Sequence, residues 1–437
     1  MTADRADSYP TPARGYYVTG VLLLAYTLSY VDRQILSLMV EPVKRDLMLS
    51  DTQISLLHGF AFAIFYTLVG LFLGRAADRF NRRTLIIVGI AVWSAATAAC
   101  GFAGSLAGLF LARMMVGFGE ASLSPAAYSM LADYFPRERR GRALGIYSLG
   151  VYLGSGLAFI VGGFVIASTK GVDLVTLPLL GDFRPWQLAF LLVALPGLVL
   201  VPLMLTVREP VRRELAGGEA GLGHFTANRS FYLPAILGYA VLAIVTFAYT
   251  SWFPTAVIRL WGWSVRDIGI AYGVIMLVFG TSGMLLSGFA ADKLVARGRA
   301  DAHLWLSIFG TVAAIPSAIG AGLVSTPYAA LAGVALTSFF ISMSIALAPV
   351  VLQRVTPNGL RGQMTALYLL LINLVGMGMG PTLVALCTDF VFHDELAVRK
   401  SITVVTAVAA TGSALLLWRS LRPYRLMLAR IDGQERA

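Results

Sequence analysis

Residues 74–79 read GRAADR, and residues 288–293 read GFAADK. A second short pattern also occurs twice, as PRERRG at 136–141 and as PNGLRG at 357–362. The copies lie 214 residues apart in the first case and 221 in the second, close to half of the 437-residue chain, and each lies where a long apolar run ends or begins. Such a repeat predicts two membrane bundles of matching layout, joined in the middle of the chain.

The composition is that of a protein that lies largely in lipid. Hydrophobic residues make up 57% of the chain and charged residues 13%, about half the charged share of an average soluble domain. Twelve apolar stretches are long enough to cross the hydrocarbon layer as helices of roughly 20 residues. A polar segment at 208–230 separates the first six from the last six. The sequence therefore predicts an all-α membrane protein with 12 transmembrane helices in two pseudo-symmetric six-helix bundles.

The order of these stretches predicts the domain organisation and the orientation. It comprises an N-terminal tail at 1–15, a first bundle at 16–207, a linker at 208–230, a second bundle at 231–420 and a C-terminal tail at 421–437. With both tails and the linker on one side of the membrane, that side carries 24 Lys and Arg and the other side carries 8. Basic connections stay in the cytoplasm. We therefore expect a multi-pass protein of the cell's inner (plasma) membrane with both termini cytoplasmic.

Several function classes are not expected. The net charge of +11 does not indicate nucleic-acid binding, because the basic residues are scattered among membrane loops. The histidines show no metal-ligand spacing, and no nucleophile lies beside a base, so neither a metal, a cofactor nor an enzymatic activity is expected. No ATP-binding loop of the Gly-x-x-x-x-Gly-Lys type occurs, which leaves a gradient as the energy source.

Four charged residues lie inside predicted spans of the first bundle: Asp32 and Arg33 in span 1, Arg113 and Glu120 in span 4. An ionisable residue in the hydrocarbon region is costly, so it usually faces a cavity and marks a pathway. Helical rise places all four at a similar depth. Arg113 and Glu120 are seven residues apart and share one helix face, which Gly117 is expected to leave open as a cavity wall.

These four residues predict proton coupling and anion binding. Burial and a nearby cation change the proton affinity of a carboxyl in opposite directions, so Asp32 and Glu120 are the predicted proton carriers. Protonation of either acid would free an arginine, and Arg33 and Arg113 suit a phosphate or a carboxylate of the substrate. The alternative is a purely structural charge network that locks spans 1 and 4. His58, near the outer start of span 2, is a weaker candidate for proton transfer, and the favoured interpretation is an interfacial residue without a role.

The second bundle has essentially no charge inside its spans. Tyr249, Tyr368 and Asn373 are its predicted substrate-binding residues, set among aromatic and methionine side chains. One charged wall and one aromatic wall suit an amphiphile, whose head would lie against the first bundle and whose tail against the second. The alternative is that the aromatic residues serve packing or face lipid.

The repeated patterns predict a cytoplasmic gate. Gly74 is expected to let neighbouring helices approach closely, and Asp78 lies at the inner end of span 2, before arginines that could pair with acids below span 4. Such contacts would form a latch that breaks when the protein opens inward. The alternative is that the arginines are ordinary positive-inside anchors. The predicted gate residues are Gly74, Asp78, Arg79, Arg83, Asp133 and Arg140 in the first half and Asp292, Lys293 and Arg361 in the second.

Residues 74–83, GRAADRFNRR, resemble the hallmark between spans 2 and 3 of the major facilitator superfamily, with Asn81 where that family commonly has glycine. YVDR at 30–33, LSDTQ at 49–53, RMMVGFGEA at 113–121 and ADYFP at 132–136 look like the spinster family of lipid transporters. The resemblance implies movement of lysophospholipids, sphingosine phosphate or similar lipids, coupled to protons in several members. It also carries the family's charged residues onto Asp32, Arg33, Arg113 and Glu120.

The leading hypothesis is a proton-coupled secondary transporter of an amphiphilic, lysophospholipid-like, sphingolipid-like or drug-like substrate that works by alternating access. Its expected partners are the lipid bilayer, that substrate and protons, and the chain is expected to be a monomer. Two alternatives are a transporter of the same fold for a small polar organic anion, and a membrane enzyme or receptor without transport.

Overall fold

The structure is a computed structural model that describes residues 9–168, 174–178, 181–212, 222–357 and 360–435. For a few residues in these ranges only the backbone is described: 71, 78, 137, 138, 177, 222 and 432–435.

The predicted all-α membrane fold is confirmed. Eleven helices in the described ranges are long and apolar enough to cross a membrane. They serve here as spans 2 to 12: Asp51–Ala77, Arg82–Gly101, Leu106–Tyr134, Arg139–Ser168, Pro185–Leu205, Arg229–Trp261, Val265–Ala296, Ala302–Leu323, Pro327–Arg354, Arg361–Phe392 and Glu395–Ile431. Span 1 is the 23-residue helix Pro12–Gln34, which is less apolar because it contains four tyrosines and the charged residues Arg14, Asp32 and Arg33.

Helices extend into segments predicted to be tails or linker. The first helix begins at Pro12, inside the predicted 1–15 tail, and the last continues from Val398 to Glu435, through most of the predicted 421–437 tail. In the predicted linker, Leu222–Ala227 forms a short helix just before span 7, and residues 213–221 lie outside the described ranges. The last helix continues past Pro423, which lies inside it.

The chain divides into two compact units. The N-terminal unit comprises Met1–Leu215 and Ser264–Gly273, and the C-terminal unit comprises Ala216–Trp263 and Val274–Ala437. The N-terminal unit thus contains spans 1 to 6 and the start of span 8. In each unit, the connections after the second and fourth spans lie at one end, which we call the inner end. The opposite end is the outer end.

The outer end of the N-terminal unit is held by short elements and ion pairs. A helix, Val40–Leu47, follows span 1, and its Lys44 pairs with the fully buried Asp51 at 2.7 Å. Strands β1 (Val175–Leu177) and β2 (Gly181–Phe183) form an antiparallel hairpin before span 6. The Arg184 that follows this hairpin pairs with Asp46 at 2.7 Å.

Wide π turns occur at corresponding places in the two units. Span 2 passes from helix Asp51–Ser55 through a π turn, Leu56–Phe60, into helix Ala61–Arg79. Span 8 has a π turn at Met276–Gly280, whose first residue lies 220 positions after residue 56. This separation matches the spacing of the repeated sequence patterns. Such turns are rare inside helices and frequently accompany functional sites.

Candidate functional site

The structure brings the four charged residues of spans 1 and 4 together in the interior of the N-terminal unit. Asp32 and Arg33 are 3% and 5% exposed, and Arg113 and Glu120 are fully buried. Arg33 Nε donates to Glu120 Oε2 at 2.7 Å, and Ser29 Oγ donates to the same oxygen at 2.6 Å. Two acids and two bases sum to zero charge, which makes their joint burial tolerable.

Aromatic rings surround the Arg33 guanidinium. Its Cζ lies 4.7 Å from the ring centre of Tyr30, 4.7 Å from that of Phe62 and 4.6 Å from that of Tyr66. Each distance is well within the range of a cation–π contact. Tyr30 precedes Arg33 by three residues, and Phe62 and Tyr66 are four apart on span 2. Helical spacing could therefore have identified these rings, which the sequence analysis missed.

Arg113 uses only part of its hydrogen-bonding capacity. Its Nη1 donates to the backbone carbonyl of Asp32 at 3.1 Å. Among the described residues, its Nε and Nη2 have no hydrogen-bond partner, and the same holds for Asp32 Oδ1 and Glu120 Oε1. Buried polar atoms are usually hydrogen-bonded. The cluster thus combines unused donors on Arg113 with one unused acceptor on each carboxyl.

The expectation that Gly117 leaves an open cavity wall is wrong. A Cβ atom at Gly117 would lie 2.6 Å from the backbone oxygen of Phe62, so spans 2 and 4 are in direct backbone contact here. Glycine is required because any side chain would push the two helices apart. The close approach also brings Phe62 beside Arg33. Arg113 and Glu120 accordingly lie at a packed helix contact.

His58 is buried in this conformation instead of lying at the membrane interface as expected. Its ring is 5% exposed, and its Nδ1 lies 3.3 Å from the backbone oxygen of Ile54. It sits in the π turn of span 2, within electrostatic range of Arg113. A single histidine near the end of a predicted span does not show whether its side chain is buried or lies at the membrane interface.

A group of tyrosines in the N-terminal unit was also missed. The rings of Tyr26 and Tyr147 stack at 4.5 Å, Tyr26 meets Tyr30 edge-on at 5.1 Å, and Tyr128 meets Tyr147 at 5.4 Å. Tyr26, Tyr30 and Tyr128 are only half-buried. Aromatic side chains were expected in the second bundle, but the N-terminal unit carries its own aromatic surface beside the charged cluster.

The three polar residues predicted in the second bundle have contacts within the C-terminal unit. Tyr249 is 4% exposed, and its hydroxyl donates to the Ala318 carbonyl at 2.9 Å. Tyr368 is also 4% exposed and meets Tyr239 edge-on. Asn373 is half-buried, and its Nδ2 donates to Leu369 O at 2.7 Å. The Tyr249 hydroxyl thus has a hydrogen-bond partner within its own unit.

Arg82 is the centre of the charge network at the inner end of the N-terminal unit. It is 1% exposed, and it donates to Asp133 at 2.5 Å and to Glu209 at 2.7 Å. The backbone N–H of Arg83 donates to the second oxygen of Glu209 at 2.9 Å. Arginines of this turn were expected to pair with acids below span 4, and the contact of Arg82 with Asp133 is of that kind. The contact with Glu209 was not expected, because Glu209 lies in the predicted linker, whose fold could not be read from the sequence.

The remaining gate residues of the first pattern have varied environments. Gly74 is not at a close helix contact among the described residues, because a Cβ there would have open space, so that expectation is wrong. Arg79 is exposed. The side chain of Asp78 lies outside the described part of the structure.

The second repeated pattern has the same local geometry in both units. Arg140 Nη2 donates to the carbonyl of Ala132, eight residues earlier, at 2.8 Å. Arg361 Nε donates to the carbonyl of Gln353, also eight residues earlier, at 3.1 Å. Each arginine therefore binds a carbonyl at the end of the preceding span, where such groups lack helical partners. Asp292 and Lys293 are exposed in the C-terminal unit.

Nothing in the described part of the chain resembles a metal centre, since no group of three or more His, Cys, Asp or Glu side chains is placed to hold an ion.

Comparisons with known proteins agree with this architecture. The family model described as "Major Facilitator Superfamily" matches residues 22–381. An "MFS-type efflux pump" of Mycolicibacterium smegmatis is 28% identical over 97% of this chain and 96% of its own length. A "Hexuronate transporter" of Bacillus subtilis is 26% identical over 89% of this chain and 93% of its own length.

A solved structure shows the same fold. It is the crystal structure of a bacterial homolog to the human lysosomal transporter Spinster, in an inward-facing and unoccupied conformation. It superimposes with a TM-score of 0.76 at 26% identity and covers 96% of this chain and 98% of its own. The resemblance to this family, predicted from residues of spans 1 and 4, is confirmed.

Proposed function

The chain belongs to the major facilitator superfamily, and from that premise we propose that it is a proton-coupled secondary transporter of an amphiphilic substrate. The substrate class is lysophospholipid-like, sphingolipid-like or drug-like, and the mechanism is alternating access. The protein is a multi-pass membrane protein; its location in the plasma membrane, its cytoplasmic termini and its monomeric state are part of the proposal, as is transport without catalysis.

One observation carries the proton-coupling part: Glu120 is fully buried, paired with Arg33 through Oε2, and its Oε1 has no partner among the described residues. A carboxyl in this setting can bind a proton at Oε1 without giving up its existing hydrogen bonds. Asp32 Oδ1 is also buried without a hydrogen-bond partner among the described residues. Asp32 is the second proton carrier in the proposal. Ionisable residues inside membrane helices are retained where they serve ion or substrate pathways.

The unused edge of Arg113 supports recognition of an anionic group. Nε and Nη2 lie on one edge of the planar guanidinium, the edge that binds a phosphate or a carboxylate through two parallel hydrogen bonds. The half-buried tyrosines beside the cluster would contact the apolar part of an amphiphile. Arg33, Tyr249, Tyr368 and Asn373 complete the proposed substrate contacts.

A small polar organic anion is a second candidate substrate. It is favoured by the similarity to a hexuronate transporter over 89% of this chain and by the same edge of Arg113, which suits a carboxylate as well as a phosphate. An amphiphile is preferred because the charged cluster lies beside aromatic surfaces in the N-terminal unit and no second charged cluster is buried mid-span among the described residues of the C-terminal unit.

We also propose that the inner-end charges form a gate that opens and closes during transport. Arg82 and Glu209 join the gate because they hold Asp133 and Arg83 in place. The other members are Gly74, Asp78, Arg79, Arg140, Asp292, Lys293 and Arg361. Asp78→Asn should increase the inward-open population, as measured by spin-label distances, whereas Asp182→Asn in the exposed outer hairpin should leave it unchanged. Equal distributions for both variants would contradict the gate.

The function is tested in proteoliposomes with a lysophosphatidate, its dephosphorylated monoacylglycerol and glucuronate as probes. We expect a pH gradient to drive accumulation of the lysolipid, and Arg113→Ala to weaken binding of the phosphate-bearing lipid more than binding of the dephosphorylated one. Accumulation of glucuronate alone would favour the small-anion candidate. Uptake of all probes that ignores the pH gradient would contradict proton coupling.

A further inference from the structure

We propose that Tyr30, Phe62 and Tyr66 hold Arg33 in place when Glu120 binds a proton, so that these three rings set the proton affinity of Glu120. This inference rests on the proposed proton coupling. It assigns positioning roles to three residues and separates the main tasks of the two arginines: Arg33 is the fixed counter-charge of Glu120, and Arg113 supplies the unused donors for the anionic group of the substrate.

The three rings contact Arg33 from two helices. Tyr30 lies on span 1 and Phe62 and Tyr66 on span 2, and all three ring centres are 4.6–4.7 Å from the guanidinium carbon. Phe62 is fully buried and the Arg33 side chain is 3% exposed. A cation over an aromatic face is attracted more strongly where water is excluded. The rings therefore stabilise the cation without any contribution from Glu120.

The hydrogen bonds of Glu120 are all on one oxygen. Oε2 accepts from Arg33 Nε and from Ser29 Oγ, whereas Oε1 has no partner among the described side chains. A proton arriving from the aqueous side therefore binds to Oε1, and the bonds to Oε2 remain. The carboxyl loses its charge, but Arg33 keeps one hydrogen bond and three rings. Protonation thus weakens the attraction on Arg33 without releasing it.

Other charged groups near Glu120 do not replace this arrangement. Arg113 lies two turns away on the same helix, and Asp32 precedes Arg33 on span 1; both are within electrostatic range of Glu120. Arg113 is tied to the Asp32 carbonyl through Nη1. Arg33 stays beside Glu120 whether or not Glu120 carries a proton. Its positive charge therefore disfavours the protonated form throughout the titration. If the rings were absent, Arg33 could move away after protonation, and the protonated form would be favoured.

The test is an infrared titration of the full-length protein in lipid nanodiscs, which needs no substrate. The Glu120 carboxylic-acid band is identified as the band that disappears in Glu120→Gln. We expect Tyr66→Leu and Phe62→Leu to move the midpoint of that band to higher pH by roughly half to one unit. The control variant Tyr66→Phe keeps the aromatic face, so its Glu120 band should have the wild-type midpoint.

A second series keeps the packing intact. Fluorinated phenylalanines incorporated at position 62 weaken the negative ring face while preserving shape. The midpoint should rise step by step with the number of fluorine atoms. This series remains informative if the leucine variants do not fold.

Two results would overturn the inference in different ways. Leucine and fluorinated variants that titrate at the wild-type midpoint would contradict the role of the rings while leaving proton coupling intact. A wild-type Glu120 band that does not change with pH would overturn both this inference and the proposed function.

Discussion

The two units solve the problem of burying polar groups in opposite ways. The N-terminal unit buries four formal charges deep in spans 1 and 4. In the described part of the C-terminal unit, the buried acidic or basic side chains are Asp301 and His303, both at the inner end where span 9 begins. The proposed ion binding therefore belongs to one unit, although the two units share repeated sequence patterns.

The interior of the C-terminal unit is held by hydroxyl groups instead of charges. Tyr239 donates to Ser307 at 3.0 Å, Ser344 donates to the Ser307 carbonyl at 2.8 Å, and Thr311 donates to Ser344 at 3.3 Å. These bonds tie spans 7, 9 and 10 together. Neutral hydrogen bonds of this kind contribute modestly and do not respond to pH in the physiological range.

Features that the units share are structural. The arginines of the second repeated pattern bind carbonyls eight residues earlier in both units, and π turns begin at residues 56 and 276. Shared features thus maintain helix ends and helix bends, whereas the differing features carry the proposed ion and substrate binding.

The largest expected effect comes from breaking the charge pair of the N-terminal unit. Arg33→Met leaves Glu120 buried without its cation and should reduce the free energy of unfolding by about 3–5 kcal/mol. Adding Glu120→Gln removes the uncompensated charge, so the double variant should recover much of the loss. Chemical denaturation in micelles measures both. A double variant that is less stable than Arg33→Met would show that the pair is not coupled.

An intermediate effect is expected at the inner ends. Arg82→Gln removes a buried cation bound to two carboxylates and should cost about 3 kcal/mol, the lower end of the range for a broken buried pair. The matched variant Arg361→Gln affects an exposed arginine that binds only backbone carbonyls in the described contacts. Its loss should be clearly smaller. Equal losses would mean that the two units depend on their inner-end arginines alike.

The smallest effect is expected inside the C-terminal unit. Tyr239→Phe removes one neutral hydrogen bond and should cost about 0.5–1.5 kcal/mol. Because no charge changes, the pH dependence of transport should match that of the wild type. A shifted pH profile in this variant would place part of the proton coupling in the C-terminal unit.

The sequence predicted those features that depend on composition and on spacing along one helix. Apolar runs gave the spans, the repeated patterns gave the two-part layout, and charges within apolar runs gave Asp32, Arg33, Arg113 and Glu120. Span 1 was predicted despite its polar residues because the apolar run that begins at residue 16 is long enough to cross the hydrocarbon layer.

The missed features depend on which helices approach each other. Gly117 was expected at a cavity and lies against the backbone of Phe62, while Gly74 was expected at a contact and has open space. A glycine in a helix permits both, and only the packing decides. Arg82 likewise pairs with the linker residue Glu209, which lies 127 positions later in the sequence. No local sequence pattern indicates a contact between residues so far apart.

In the proposed mechanism, proton coupling resides in the buried carboxyls of the N-terminal unit. The most direct test measures proton movement in proteoliposomes with an internal pH dye while a lysolipid gradient drives transport. Glu120→Gln should abolish substrate-driven proton flux yet retain substrate exchange, whereas Asp301→Asn, which alters the buried carboxyl of the other unit, should retain both. Proton flux that persists in Glu120→Gln would contradict the account.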